Sequence, residues 1–233
     1  ECQAWGTVVE EATKTGIQVK MKPVVVSEEN TARPITEVPA DGELTHWASG
    51  INEFDRVLGG GIVPGAAILL SGEPGVGKST LALALALKMK VPSLYVSADT
   101  NAHTMAMRLA SMISGKNQTD VETLMNSDYG WTKATLAKGA HIVWSFESSP
   151  TLQDIDEEVQ AFEELWGCPP TAIFVDNLMD IATDGGEEFA SMRAIMKELK
   201  YLARATNAAV IILHHTSEAV SGNPCQPRSA LQG

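Results

Sequence analysis

The run Gly72-Glu73-Pro74-Gly75-Val76-Gly77-Lys78-Ser79-Thr80 constrains this chain more than any other. It has the Walker A form G-x-x-x-x-G-K-[ST]. The apolar Ala66-Ala67-Ile68-Leu69-Leu70 precedes it, and Leu81 to Lys88 follows, the strand–loop–helix setting the motif requires. Glycine lets backbone N–H groups turn inward around phosphate oxygens, where a Cβ would intrude. Lys78 offers a point charge to the outer phosphates, and the Ser79 hydroxyl is a ligand for Mg²⁺. A plain Gly/Pro turn would not need the lysine and the hydroxyl in register, so the expectation is a nucleoside triphosphate site over Gly72 to Thr80.

The 233 residues suit one domain with some extra sequence. No stretch reaches the ~18 apolar residues of a membrane span, nor is there a signal-peptide layout, so no membrane partner is expected and the location is read as cytoplasmic. A net charge of −12 argues against a uniformly basic coat but leaves room for a local basic site on nucleic acid. Cys2, Cys168 and Cys225 are too scattered for a disulfide framework. The chain starts at Glu1 and stops in a Gly/Pro/Ser-rich stretch, which reads as cut at both ends.

Residues 1–44 read as a tail and linker broken by Pro23, Pro34 and Pro39, with Val24-Val25-Val26 as one short strand. From Thr45 periodic elements begin. Ile51, Phe54, Val57 and Leu58 fall at helical spacing, with Asn52 or Ser49 as cap. Leu81 to Leu87 alternates like a strand, but its alanines and its place after a phosphate loop predict a buried helix, apolar all round. Strands are expected at Ser93–Ala98, His141–Ser145, Thr171–Val175 and Ala208–Leu213. Between them helices are expected at His103–Ile113, Asp120–Leu124, Lys133–Lys138, Leu152–Trp166 and around Phe189–Ala203. This alternation predicts an α/β fold, a mostly parallel sheet with helices on both faces. Ligands in such sheets lie at the carboxyl ends of strands, where Ser71–Ser79, Asp99, Asp176 and His214-His215 all fall.

Five residues beyond the loop are candidates to carry chemistry. Ile173-Phe174-Val175-Asp176 has the Walker B form, about 100 residues after Walker A, and such an aspartate holds Mg²⁺; the plainer alternative is a strand-end turn residue. Asn177 follows instead of an acid, so a catalytic carboxylate must come from elsewhere. Asp99 is the candidate to orient or deprotonate the attacking water, and capping the helix near Asn101 is the other reading. His214 and His215 end a strand where a side chain could sense the γ-phosphate, and the sequence does not choose between them. In the polar segment Ser217–Gly233, Arg228 is the candidate contact to a DNA phosphate, against a plain surface loop. Arg193, Lys197, Lys200 and Arg204 form a basic stripe, read first as a solvated surface and second as a subunit contact.

Gly50-Ile51-Asn52-Glu53-Phe54-Asp55-Arg56-Val57-Leu58-Gly59-Gly60-Gly61-Ile62-Val63-Pro64-Gly65, running into the phosphate loop, resembles the RadA/Sms branch of the RecA superfamily. Cys2-Gln3-Ala4-Trp5-Gly6-Thr7 is similar to the end of that branch's four-cysteine zinc module, so zinc is expected only with residues preceding this chain. Downstream, Leu199 to Arg204 leading into Ile211-Ile212-Leu213-His214-His215-Thr216 is similar to DnaB-like helicases, phage-encoded ones especially, and Pro227 to Gly233 to the segment after their DNA-facing loop. The resemblance implies a RecA-like core over 45–233 that forms a homo-oligomer, usually a hexameric ring, with ATP and Mg²⁺ at subunit boundaries. It also implies single-stranded DNA in the channel and hydrolysis coupled to translocation. By position Lys78 and Ser79 serve phosphate and Mg²⁺, Asp176 serves Mg²⁺, and Asp99 stands where the family usually has glutamate. Two other readings stay open: a RecA-type strand-exchange filament protein, and a regulatory clock-protein-type P-loop ATPase acting without DNA.

Overall fold

The computed structural model describes residues 45–182 and 188–216, with side chains described from Ser191 onward in the second range. The expected linker and strand in 1–44, the Cys2 half-module and the Arg228 segment lie outside the described residues, as does the side chain of Phe189.

The strands are β1 (Ala67–Gly72), β2 (Ser93–Ser97), β3 (Ile142–Ser145), β4 (Ala172–Asp176) and β5 (Ala209–His215). They form one sheet in the order β1-β5-β4-β2-β3, and every pair is parallel. The helices are α1 (Asn52–Val57), α2 (Lys78–Met89), α3 (Ala102–Ser114), α4 (Gln118–Ser127), α5 (Tyr129–Leu136), α6 (Leu152–Trp166) and α7 (Glu188–Thr206).

Two apolar layers hold the sheet, as strands that are apolar on both sides require. On one face Ile155, Val159 and Phe162 of α6, with Ile195, Leu199 and Leu202 of α7, pack on Leu94, Ile173, Val175 and Ile212. On the other, Leu83, Leu85 and Ala86 of α2, with Met105 and Leu109 of α3, pack on Tyr95, Phe174, Ile211 and Leu213. Odd and even positions of each strand thus enter opposite layers. The expected α/β architecture is present, and the helix over Leu81–Leu87 is α2.

Local expectations need correction at three places. First, α2 is not buried all round, since Leu81 is 37% exposed: the helix meets the sheet along one side only. Second, neither Asn52 nor Ser49 caps α1. Ile51 occupies that position without a side-chain bond, and the Ser49 backbone N–H instead donates to Asp55 Oδ1 at 2.9 Å. Third, the two short helices start earlier than Asp120 and Lys133, because Asn117 and Asp128 cap them by accepting from Asp120 N–H and Trp131 N–H; the first runs on to Ser127, and the second ends at Leu136 in a 3₁₀ turn over Ala137–Gly139. At α6 the expected cap is present and doubled: Thr151 and Asp154 form a reciprocal capping box.

Ahead of β1, Trp47 and Ile62 form an antiparallel bridge, N–H to carbonyl at 2.8 and 2.9 Å. Gly61, between them, has the Trp47 carbonyl oxygen 2.6 Å from where a Cβ would stand. No side chain fits there.

Candidate nucleotide-binding site

The phosphate loop joins β1 to α2, so the unpaired N–H groups at the start of a 12-residue helix face its mouth. Gly75 and Gly77 have φ of 78° and 97°, and a Cβ on either would meet nothing within 4 Å. The space they border is open on the ligand side. Glu73, Pro74 and Val76 form the exposed rim of the turn.

Lys78 is only 8% exposed. Its Nζ donates to the Gly72 and Glu73 carbonyl oxygens, both at 2.8 Å, and to His215 Nδ1 at 3.1 Å. An ammonium has three protons and no acceptor, so His215 accepts through Nδ1 and carries its own proton on Nε2. Burial lowers the Lys78 pKa, and the charge of Asp176 opposes that shift.

Asp176, 2% exposed, ends β4 opposite the loop. Ser79 Oγ donates to its Oδ1 at 3.1 Å, and the Tyr95 hydroxyl donates to its Oδ2 at 3.1 Å. Burial pushes the carboxyl pKa up, both hydrogen bonds pull it down, Asp99 adds to the upward push and His215 counters it. Asp99 itself is exposed at the end of the β2 turn, and Asn177 Nδ2 reaches its Oδ2 at 3.4 Å. The helix cap belongs to Asn101, whose side chain accepts from Thr104 N–H at 2.9 Å, so Asp99 is not spent on capping.

The two histidines part company. His214, 3% exposed, has its Nδ1 3.2 Å from Ser71 Oγ, whereas His215 lines the cleft with the loop. That cleft holds about 480 Å³ and is bounded by Gly75, Gly77, Lys78, Ser79, Thr80 and His215 on one side, and by Arg108, Ser111, Met112 and Gln118 on the other. Nothing in the sequence pattern marks Arg108 or Gln118 as cleft residues, apart from polar side chains on elements that directly follow the strand ending near Asp99.

The donor set suits a hard cation bound together with phosphate. Ser79 Oγ and Asp176 Oδ1 are neighbouring oxygens beside the cradle. Among the described residues no group of three or more His, Cys, Asp or Glu could hold a metal alone. Magnesium usually takes one or two protein oxygens and completes its shell with phosphate and water.

A family model described as an AAA domain matches residues 37–219. This chain belongs to that family. The P-loop ATPase domain so identified is of RecA-superfamily type, as the strand order and relatives agree. It is 33% identical over 171 residues to the gene 65 protein of Mycobacterium phage D29, covering 71% of this chain and 74% of that protein. To DNA repair protein RadA of Mycobacterium tuberculosis it is 31% identical over 238 aligned positions, 98% of this chain but 42% of RadA. Its fold matches a solved DnaB-like replicative helicase with a TM-score of 0.69 at 20% identity, over 81% of this chain and 49% of that one. This ATPase domain thus spans less than half the length of RadA and of that helicase. Among the described residues no helix is long and apolar enough to cross a membrane.

Proposed function

We propose that this chain is the motor domain of an ATP-dependent DNA translocase or helicase, hydrolysing ATP at the boundaries of a homo-oligomeric, hexameric ring in DNA replication, recombination or repair. The observation that carries the ATP reading is the convergence of two elements at one cleft: Lys78 and Ser79 from the start of α2, and Asp176 from the end of β4, which accepts from Ser79 Oγ. Support for DNA as partner comes from the RadA relationship along nearly the whole chain. Residues 45–233 act as the ATPase unit in the cytoplasm, and Arg228 contributes to the DNA path.

In this reading the loop N–H groups and Lys78 bind and orient the phosphates, the lysine leaving His215 to do so. Ser79 and Asp176 would hold magnesium, which would supply charge neutralisation at the phosphates. Asp99 orients the attacking water and takes its proton. His215, released from Lys78, faces the outer phosphate and is the sensor, whereas His214 braces β5 against Ser71.

The test is steady-state ATP turnover with and without single-stranded DNA, followed by unwinding of a forked duplex. Stimulation together with directional unwinding is expected. Turnover that ignores DNA would move the chain to the clock-type regulatory class, and stimulation with strand pairing but no unwinding would move it to the filament class.

A further inference from the structure

We propose that Tyr95 is a positioning residue for the metal site, its phenol fixing the Asp176 carboxylate in the orientation that magnesium needs. The inference rests on the reading of Asp176 as the magnesium-serving carboxylate.

Tyr95 lies in the middle of β2 with no exposed surface. Its ring stacks on Phe174 of β4 at 5.4 Å between centroids and leans on Trp144 of β3 at 4.8 Å. These three residues occupy matching registers across adjacent parallel strands, so an aromatic row runs through the sheet beneath α2 and α3. The row fixes the ring, and the ring directs its hydroxyl two residues along β4, to Asp176 Oδ2 at 3.1 Å.

Phe174 beside Tyr95 fills the same layer without a hydroxyl. A buried phenol needs a partner, and here the partner is the site carboxylate itself. An ionised carboxylate can only accept, so the phenol is the donor in this bond. Its effect is geometric. Oδ1 meets Ser79 on the cleft side and Oδ2 meets Tyr95 on the core side, so the carboxylate plane is pinned at both ends. With the core-side bond removed, the carboxylate can rotate about its Cβ–Cγ axis and offer neither oxygen steadily to a cation beside Ser79. Groups that act through a metal ligand in this manner commonly change metal affinity or activity by about 10–100-fold when removed.

Tyr95→Phe keeps the aromatic row and deletes only the hydroxyl. The measurement is binding of a fluorescent, non-hydrolysable ATP analogue with EDTA and across a Mg²⁺ titration, with Asp176→Asn in parallel and the thermal midpoint of each metal-free protein recorded. For Tyr95→Phe we expect unchanged analogue affinity in EDTA and at least a tenfold rise in the Mg²⁺ concentration giving half of the metal-dependent gain. Turnover should shift in its Mg²⁺ dependence, with kcat largely recovered at saturating Mg²⁺. A purely structural tyrosine would lower the thermal midpoint and leave the Mg²⁺ midpoint in place, which overturns the proposal. If Tyr95→Phe has no effect on the Mg²⁺ midpoint while Asp176→Asn raises it, the positioning role alone is wrong. If neither substitution moves it, the assignment of Asp176 to the metal is wrong and the role of Tyr95 falls with it. Should Tyr95→Phe fail to fold, p-aminophenylalanine and p-methylphenylalanine in place of Tyr95 decide: both keep the ring and its para substituent, only the first offers a donor to Oδ2, and equal Mg²⁺ midpoints for the two overturn the proposal.

Discussion

Every proton on Lys78 is engaged, by two carbonyl oxygens and His215, so the lysine is already shaped around the place a phosphate would take. Lys78→Ala should abolish measurable analogue binding or cut turnover by about 10²–10³-fold, and normal turnover in that variant would end the site assignment. Asp99→Asn should bind the analogue normally and turn over about 10²–10⁴-fold more slowly, as single-turnover assays will show; an unchanged rate removes Asp99 from catalysis. At this scale the sequence was legible where chemistry is local, as in the loop with its lysine and hydroxyl. It was silent on Tyr95, because a tyrosine inside an apolar strand looks like any core aromatic until the partner strand is known. Asp99 was ambiguous for the opposite reason: two polar residues, Asp99 and Asn101, stood near one helix start, and only geometry showed that Asn101 takes the cap.

Among the elements, α6 carries a group that opposes its own burial. Asp156 is 5% exposed, its Oδ1 lacks a hydrogen-bond partner, and only Gln160 donates to its Oδ2, at 2.8 Å. Burial raises its pKa above the ordinary 3.8. The folded state therefore binds this proton more tightly than the unfolded chain. The resulting penalty is fully present above the raised value and vanishes as pH falls through it toward 3.8. Asp156→Asn should accordingly stabilise the protein at pH 7 by about 1 kcal/mol, about 2–4 °C in the thermal midpoint. The gain should shrink in melts at progressively lower pH. Helix and strand identities were readable because apolar periodicity and capping residues act over a few positions. The order β1-β5-β4-β2-β3 was not, since it is set by which crossovers pack two faces together. That order brings Tyr95 beside Asp176 and His215 beside Lys78, residues far apart in the chain.

For the molecule as a whole, the ring proposed above would place a neighbouring copy against the nucleotide cleft. Light scattering with bound analogue should then report six times the chain mass of 24.9 kDa. Mixing wild type with Lys78→Ala should lower turnover more steeply than the fraction of variant added, because each site draws on two copies; a linear decline would mean independent sites.

The bridge between Trp47 and Ile62 bears on how this chain can drift over generations. Gly61 is closed to any side chain by the Trp47 carbonyl 2.6 Å away, whereas Gly59, two positions earlier at φ 76°, faces nothing within 4 Å. Asparagine tolerates such a left-handed backbone, so selection should let Gly59 vary among descendants while holding Gly61 fixed. Three identical letters in a row therefore carry unequal information, and a deep mutational scan should rank Gly61 far above Gly59 in intolerance. The most telling glycine in that run is the one that guards the entrance to the first strand.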